Sequence, residues 1–330
     1  MRSIDPSRIP AAESHRYLLT CVAPRPIAFV STQDREGRVN LSPFSFFNAF
    51  GANPPIVAFS PAFRGTDGSA KHTFLNIKET GEFTISVVNF GMVEQMSLAS
   101  ADWPEGVDEF EKSGFSKLPS QKISPPGVQE SPMVMECKLL QHVDLGGGAA
   151  SGNLMIGEVV MFHIKESVFD GKYPHHERLD LVARMGGPYY CRAVGDAVFE
   201  LPKPTGLGIG FDGLPDELKQ SRVLTGNHLA KLAGVKVVPN LHQVEEYVAK
   251  IVEMGKAVGE GRPDDLDAEM RGGDVDRVAL ATLGASAHVE SNPDALRELF
   301  HRSAAWLLDH GNVADAWLLA LIPELWRRTT

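Results

Sequence analysis

Six stretches in the first two hundred residues combine Val, Ile and Phe with flanking turn residues. They are PIAFVST (26–32), RVNLS (38–42), IVAFS from Ile56, EFTISVV (82–88), MVMECKLLQHV (133–143) and NLMIGEVVMFHIKE (153–166). Short apolar runs of this kind predict β-strands, and their succession predicts a mainly β, barrel-like unit. DREGR (34–38) reads as a hairpin connection, with Gly37 free to take a positive φ. SAKHTFLNIKETG places Phe74, Leu75 and Ile77 in a short helical pattern that ends at Gly81, a natural C-cap. GMVEQMSLAS predicts a second short helix.

The rest of the chain has a different periodicity. PDELKQSRVLTGNHLAKLAG, LHQVEEYVAKIVEMG and PDALRELFHRSAAWLLDHG carry apolar residues at helical spacing, start after Pro or an acid and end near Gly. In the second of these, Val244, Val248, Ile251 and Val252 form one face, and Glu245, Glu246 and Lys250 the other. Between the two textures lies LPKPTGLGIGFDGLPDE (201–217), where prolines and glycines oppose both helix and strand. The expected organisation is a β unit over 1–203, a Pro/Gly-rich linker over 204–213 and a helical domain of unassigned role over 214–330. Phenylalanine follows the same division, since only Phe211 and Phe300 of 17 lie beyond residue 201.

At 330 residues and 43% hydrophobic, the chain is long enough for about two globular domains. A net charge of -10 with no basic block argues against nucleic acid as a partner. Cys21, Cys137 and Cys191 form no CxxC pair, so neither a disulfide framework nor a four-ligand zinc site is indicated, and no metal is expected. Charges and prolines interrupt the N-terminal apolar residues, and no apolar run approaches a bilayer span, so a cytoplasmic protein without membrane attachment is expected. GIGFDG (208–213) matches GxGxxG but no strand precedes it, HHE (175–177) lacks HExxH spacing, and GGGAASG (146–152) lacks the GK[ST] of a phosphate loop.

Arg25 to Pro61 carries the most chemistry. Ser42, Ser45 and the amides around Pro43 suit the polar edge of a heterocycle, and Phe46 and Phe47 suit its ring face. Read from these residues, the segment is either a site for a flat aromatic ligand or a barrel corner filled by phenylalanines.

RPIAFVST, the acidic-Gly hairpin, NLSPFSFFNAF, PPIVAFS and KHTFLNIKETGEFTISVVN occur in an order that resembles the flavin reductase-like family of FMN-binding split barrels. GNLMIGEVVMFHI and ARMGGPYYCR extend the resemblance over roughly residues 15–200. It implies a six-stranded Greek-key split barrel, a homodimer, and FMN held in a groove lined by both subunits. It also implies NADH or NADPH as reductant, with a free flavin, a partner oxygenase, a metal ion or another small-molecule acceptor. Two other readings are a flavin-binding carrier or sensor without turnover, and an oxidase similar to pyridoxamine phosphate oxidases.

Carried onto this chain, the resemblance makes Asn40 to Phe47 the flavin-contacting loop, including Asn40, Ser42, Pro43, Ser45, Phe46 and Phe47. It places Ser31 and Thr32 at the same site and Lys71 and Thr73 at the flavin phosphate. A helix N-terminus at Thr73 suits an anion physically. The family's flavin carries the redox chemistry, so no catalytic side chain is named; Asn153, Arg184 and Tyr189 are candidate substrate-side contacts. Asn153 stands where many relatives have His and cannot supply a proton near neutral pH. His142 and His163 lie on nearby strands as structural histidines.

Overall fold

In the computed structural model, which describes residues 1–204, 206–258, 265–289 and 291–329, the Val-, Ile- and Phe-rich runs pair into one antiparallel sheet. Thr205 of the expected linker, and residues 259–264, 290 and 330 of the expected helical region, lie outside the described residues. The chain runs through α1 (Ala11–Cys21), β1 (Ala28–Gln33), β2 (Val39–Phe44), β3 (Phe47–Ala52), β4 (Pro55–Phe59), α2 (His72–Thr80) and β5 (Glu82–Val87). Next come α3 (Val93–Ala99), α4 (Glu109–Ser113), the small ladder of β6 (Lys117–Leu118) and β7 (Gly127–Val128), and the long strands β8 (Met133–Asp144) and β9 (Asn153–Ile164). Two further ladders, β10 (Phe169–Asp170) with β11 (Tyr173–Pro174) and β12 (Val182–Arg184) with β13 (Tyr190–Arg192), flank the short helix α5 (His176–Leu179).

The large sheet has the order β2-β1-β5-β8-β9-β4-β3. Seven strands therefore take part, where the sequence predicts six. The additional strand is β3, which lies between the stretches predicted as strands over 38–42 and from Ile56 and shares only Phe47 with the loop expected over 40–47. It is an edge strand paired only with β4, and all but Phe47 of its residues are exposed. Its sequence FNAFGA shows no alternation because neither face is buried, which removes the signal that marks a strand.

Central strands read differently. β1 sends Ala28 and Val30 into one apolar cluster with Phe59, Phe83 and Ile85, and Phe29 into another with Leu41, Met96 and Phe110. Burial on both faces explains why its sequence is an unbroken apolar run. At the β1–β2 turn Gly37 has φ +85°, with the Asp34 carboxylate accepting the Arg38 amide at 2.8 Å. Gly81 caps α2 in the left-handed region at φ +72°.

The chain divides into two compact units, Met1–Glu200 and Leu201–Thr330. The second is helical, with α6 (Asp216–Lys219), α7 (Gly226–Ala233), α8 (Leu241–Val258), α9 (Leu266–Gly272), α10 (Val275–Ser286), α11 (Pro293–Asp309) and α12 (Val313–Thr329). The expected single helix over 215–234 is two helices, since Ser221 bonds the Val223 and Leu224 amides in a turn and Thr225 then caps α7 reciprocally with His228.

The buried face of α8 carries Val244, Tyr247 and Ile251, with Val248 partly buried, whereas Val252 is 43% exposed. At 100° per residue Val252 turns away from Val244, and Tyr247 completes the stripe instead. The Pro/Gly segment is more than a tether at its distal end. The Ile209 amide donates to Val235 at 2.8 Å, and a Cβ at Gly208 would meet the Ala233 carbonyl at 2.5 Å. No described helix is long and apolar enough to cross a membrane.

Candidate functional site

Strand alternation builds the floor of a crevice on the first unit. Asn40, Ser42 and Phe44 project from β2 to the face where α2 begins, and Phe44 joins the cluster that contains Ile77 of α2. Asn40 and Ser42 meet Lys71, His72 and Thr73 there, together with Arg64, Asp102, Trp103 and Glu109. The crevice encloses about 30 Å³, which is room for a small polar group and too little for a ring system.

A chain of hydrogen bonds fixes its back wall. The Thr73 hydroxyl donates to the Asn40 side-chain carbonyl at 2.7 Å, and the Asn40 amide donates to Glu109 at 2.8 Å. The second Glu109 oxygen accepts the Leu41 amide at 3.0 Å. Burial raises the Glu109 carboxyl above its ordinary value, against the lowering effect of those donors. The single hydroxyl proton of Thr73 is thus committed to Asn40.

The positive side of the crevice is less satisfied. Burial holds the Lys71 ammonium below the ordinary lysine value, with Asp102 opposing and Arg64 reinforcing the shift. Lys71 lies 5.7 Å over the Phe44 ring and has no carboxylate within ion-pair distance among the described residues. Arg64 donates to the Ala70 carbonyl at 2.8 Å and stands 3.9 Å from Asp102, whose side chain is 86% exposed. The Trp103 indole N–H is buried without an acceptor among the described residues. A buried orphan donor beside two cations is the donor set of an anion site.

Trp103→Phe removes that unpaired donor, so the ligand-free protein is expected to be as stable as the parent or more stable by about 1 kcal/mol. Thermal melts in phosphate-free buffer check this. A loss of stability would mean that the N–H has a partner in the ligand-free chain.

Of the residues singled out from sequence, Asn40, Ser42, Lys71 and Thr73 come together. Ser31 and Thr32 are both fully buried, and as neighbours in β1 they point to opposite faces. Thr32 accepts the Asn76 amide at 3.0 Å, while the Ser31 hydroxyl has no partner among the described residues. Pro43 alternates away from the crevice. Ser45 accepts from Arg25 at 3.3 Å, Phe47 packs against the sheet cluster, and Phe46 is exposed, edge-on to His15 at 6.2 Å. The expected loop over 40–47 is therefore most of β2, a two-residue connection and the start of β3.

The substrate-side candidates are spread out. Asn153 is buried, bonds the Pro61 carbonyl at 3.2 Å and His142 at 3.2 Å, and so ties β9 to the segment after β4. His163 bonds buried Glu136 at 2.6 Å. Arg184 donates to Tyr190 and, at 3.0 Å, to the Gly187 carbonyl, while Tyr189 is 71% exposed. Sequence reasoning missed Arg64, Trp103 and Glu109. Arg64 and Trp103 lie in irregular segments and Glu109 opens a five-residue helix, so no periodic pattern marks any of them.

A family model described as flavin reductase like domain matches residues 21–179. An uncharacterized protein of Halalkalibacterium halodurans is 35% identical over 204 residues, spanning 61% of this chain and 96% of its own length. An uncharacterized protein of Deinococcus radiodurans is 36% identical over 190 residues, spanning 56% of this chain and 82% of its own. Among solved structures, nitrilotriacetate monooxygenase component B from Bacillus cereus superposes with a TM-score of 0.58 at 33% identity, covering 61% of this chain and 98% of that one. The 2-nitrobenzoate 2-nitroreductase of Pseudomonas fluorescens gives 0.54 at 28% identity, covering 61% and 96%. A Shewanella frigidimarina putative flavin reductase with a split barrel domain gives 0.51 at 29%, covering 60% and 95%.

Proposed function

This chain belongs to the flavin reductase-like family, and from that membership we propose that its first unit is an FMN-dependent oxidoreductase that draws electrons from NADH or NADPH. The carrying observation is the crevice of Lys71, Arg64 and the orphan Trp103 N–H, sized for one anionic group. Lys71 and Trp103 hold the phosphate, with Ser42 beside them and Thr73 positioning Asn40. The crevice would take only the phosphate of the flavin, because about 30 Å³ cannot contain a ring system. A bound flavin supplies hydride and single-electron transfer between a nicotinamide and an acceptor. The chain's own residues then need only bind, orient and exclude water.

In this reading the sheet is the family's split barrel, and the acceptor is a small molecule or a partner oxygenase. Two copies pair over the exposed β3 edge, where Phe50 is 67% exposed and Phe46 36%. Sedimentation of the full chain is expected to show a dimer at micromolar concentration; a monomer with full flavin occupancy contradicts the pairing.

Activity is tested by steady-state oxidation of NADH and NADPH by the FMN-loaded full chain. Turnover that depends on FMN is expected. FMN that binds without any nicotinamide oxidation would make the protein a flavin carrier instead.

A further inference from the structure

The helical unit contains a cavity of about 960 Å³, within the range of pockets that hold small organic ligands. Its apolar wall is formed by Leu218 of α6, Leu241 of α8, Leu296 of α11, and Leu321 and Trp326 of α12. Two of its charged groups are already matched, as Glu217 and Glu324 both lie against Arg327, at 3.4 and 2.5 Å. Arg297 differs. Its one ion-pair contact among the described residues is to Asp294 at 3.4 Å, whose side chain is 92% exposed.

His301, one turn beyond Arg297 on α11, also lines the cavity and is 2% exposed. Its protonation pattern follows from its neighbour. Ser221 Oγ accepts the Val223 amide at 3.2 Å and the Leu224 amide at 3.1 Å, so both lone pairs are used. Its hydroxyl proton is left to donate to His301 Nδ1, 2.8 Å away. The neutral imidazole therefore carries its proton on Nε2, which has no partner among the described residues. Burial and the nearby Arg297 charge keep that ring neutral, with its pKa pushed down to about 4.

We infer that this cavity binds an apolar monocarboxylic acid, whose carboxylate is held by Arg297 and the Nε2–H of His301 and whose hydrocarbon body lies against the leucines and Trp326. Two convergent donors favour an anion, and Arg297 is the one lining cation without a buried or multiple carboxylate match among the described residues, which suits a single carboxylate. Apolar walls select an aromatic or medium-chain body.

The test titrates the full chain calorimetrically with phenylacetate and octanoate, each beside its uncharged amide. At least one acid is expected to bind with Kd below about 1 mM, and its amide at least about tenfold more weakly. Arg297→Gln, at a partly exposed position, is expected to reduce the acid to the level of the amide while the circular dichroism spectrum stays unchanged. In the parent chain, the ¹³C resonance of the His301 ring should move with the acid and not with the amide. Failure of both acids to bind at about ten times that concentration, equal affinity for acid and amide, or an Arg297→Gln chain that keeps the acid's affinity overturns the inference.

Discussion

Lys71→Met is expected to weaken FMN binding by about 1.5–3 kcal/mol, roughly ten- to a hundredfold, and to leave riboflavin binding nearly unchanged. Methionine keeps an unbranched apolar stem and removes the ammonium, which lies 5.7 Å over the Phe44 ring. The ammonium is half-buried and has no carboxylate within ion-pair distance among the described residues, so it lacks the solvent screening that makes most surface lysines interchangeable. Riboflavin carries the same ring without the phosphate, which makes the difference between the two ligands specific to the anion site. The check is fluorescence titration of flavin-stripped protein with both ligands. Equal weakening of both would move the phosphate away from Lys71.

The second large effect is an acid-side loss of stability set by His301. Burial lowers its folded-state pKa to about 4, below the 6.5 of an ordinary histidine. The unfolded chain therefore binds the proton that the native chain refuses between those two values. Stability is complete above about pH 6.5 and falls as pH drops through the window, by about 3 kcal/mol at most near pH 4. His301→Gln can still accept from Ser221 and has no titrating proton, so its urea midpoint is expected to fall less steeply over the same range. Parallel slopes for parent and variant would assign the acid sensitivity to other groups.

Much of this was legible because local rules and global packing agree. Gly37 and Gly81 sit where turn and cap chemistry demand a positive φ, and a sequence states such demands within five residues. Asn40, Ser42, Lys71 and Thr73 were readable as motif positions, and alternation along β2 with the start of α2 brings them together. The alternation that aligns Asn40 with Ser42 also separates Ser31 from Thr32 and turns Pro43 away, a distinction that a linear motif does not carry.

Other features lacked a local signal. Arg64, Trp103 and Glu109 reach the crevice through tertiary folding from segments without periodicity. β3 is hidden because an exposed edge strand needs no apolar face. α10 buries Val278 through Thr282 consecutively, so an amphipathic stripe never forms in its sequence.

The most direct measurement is the absorption spectrum of the purified full chain after incubation with FMN and gel filtration, with mass identification of whatever the protein releases. A yellow protein carrying about one FMN per chain is expected, with FAD and riboflavin retained less well. A colourless protein that retains no flavin, or one that prefers FAD, would contradict it.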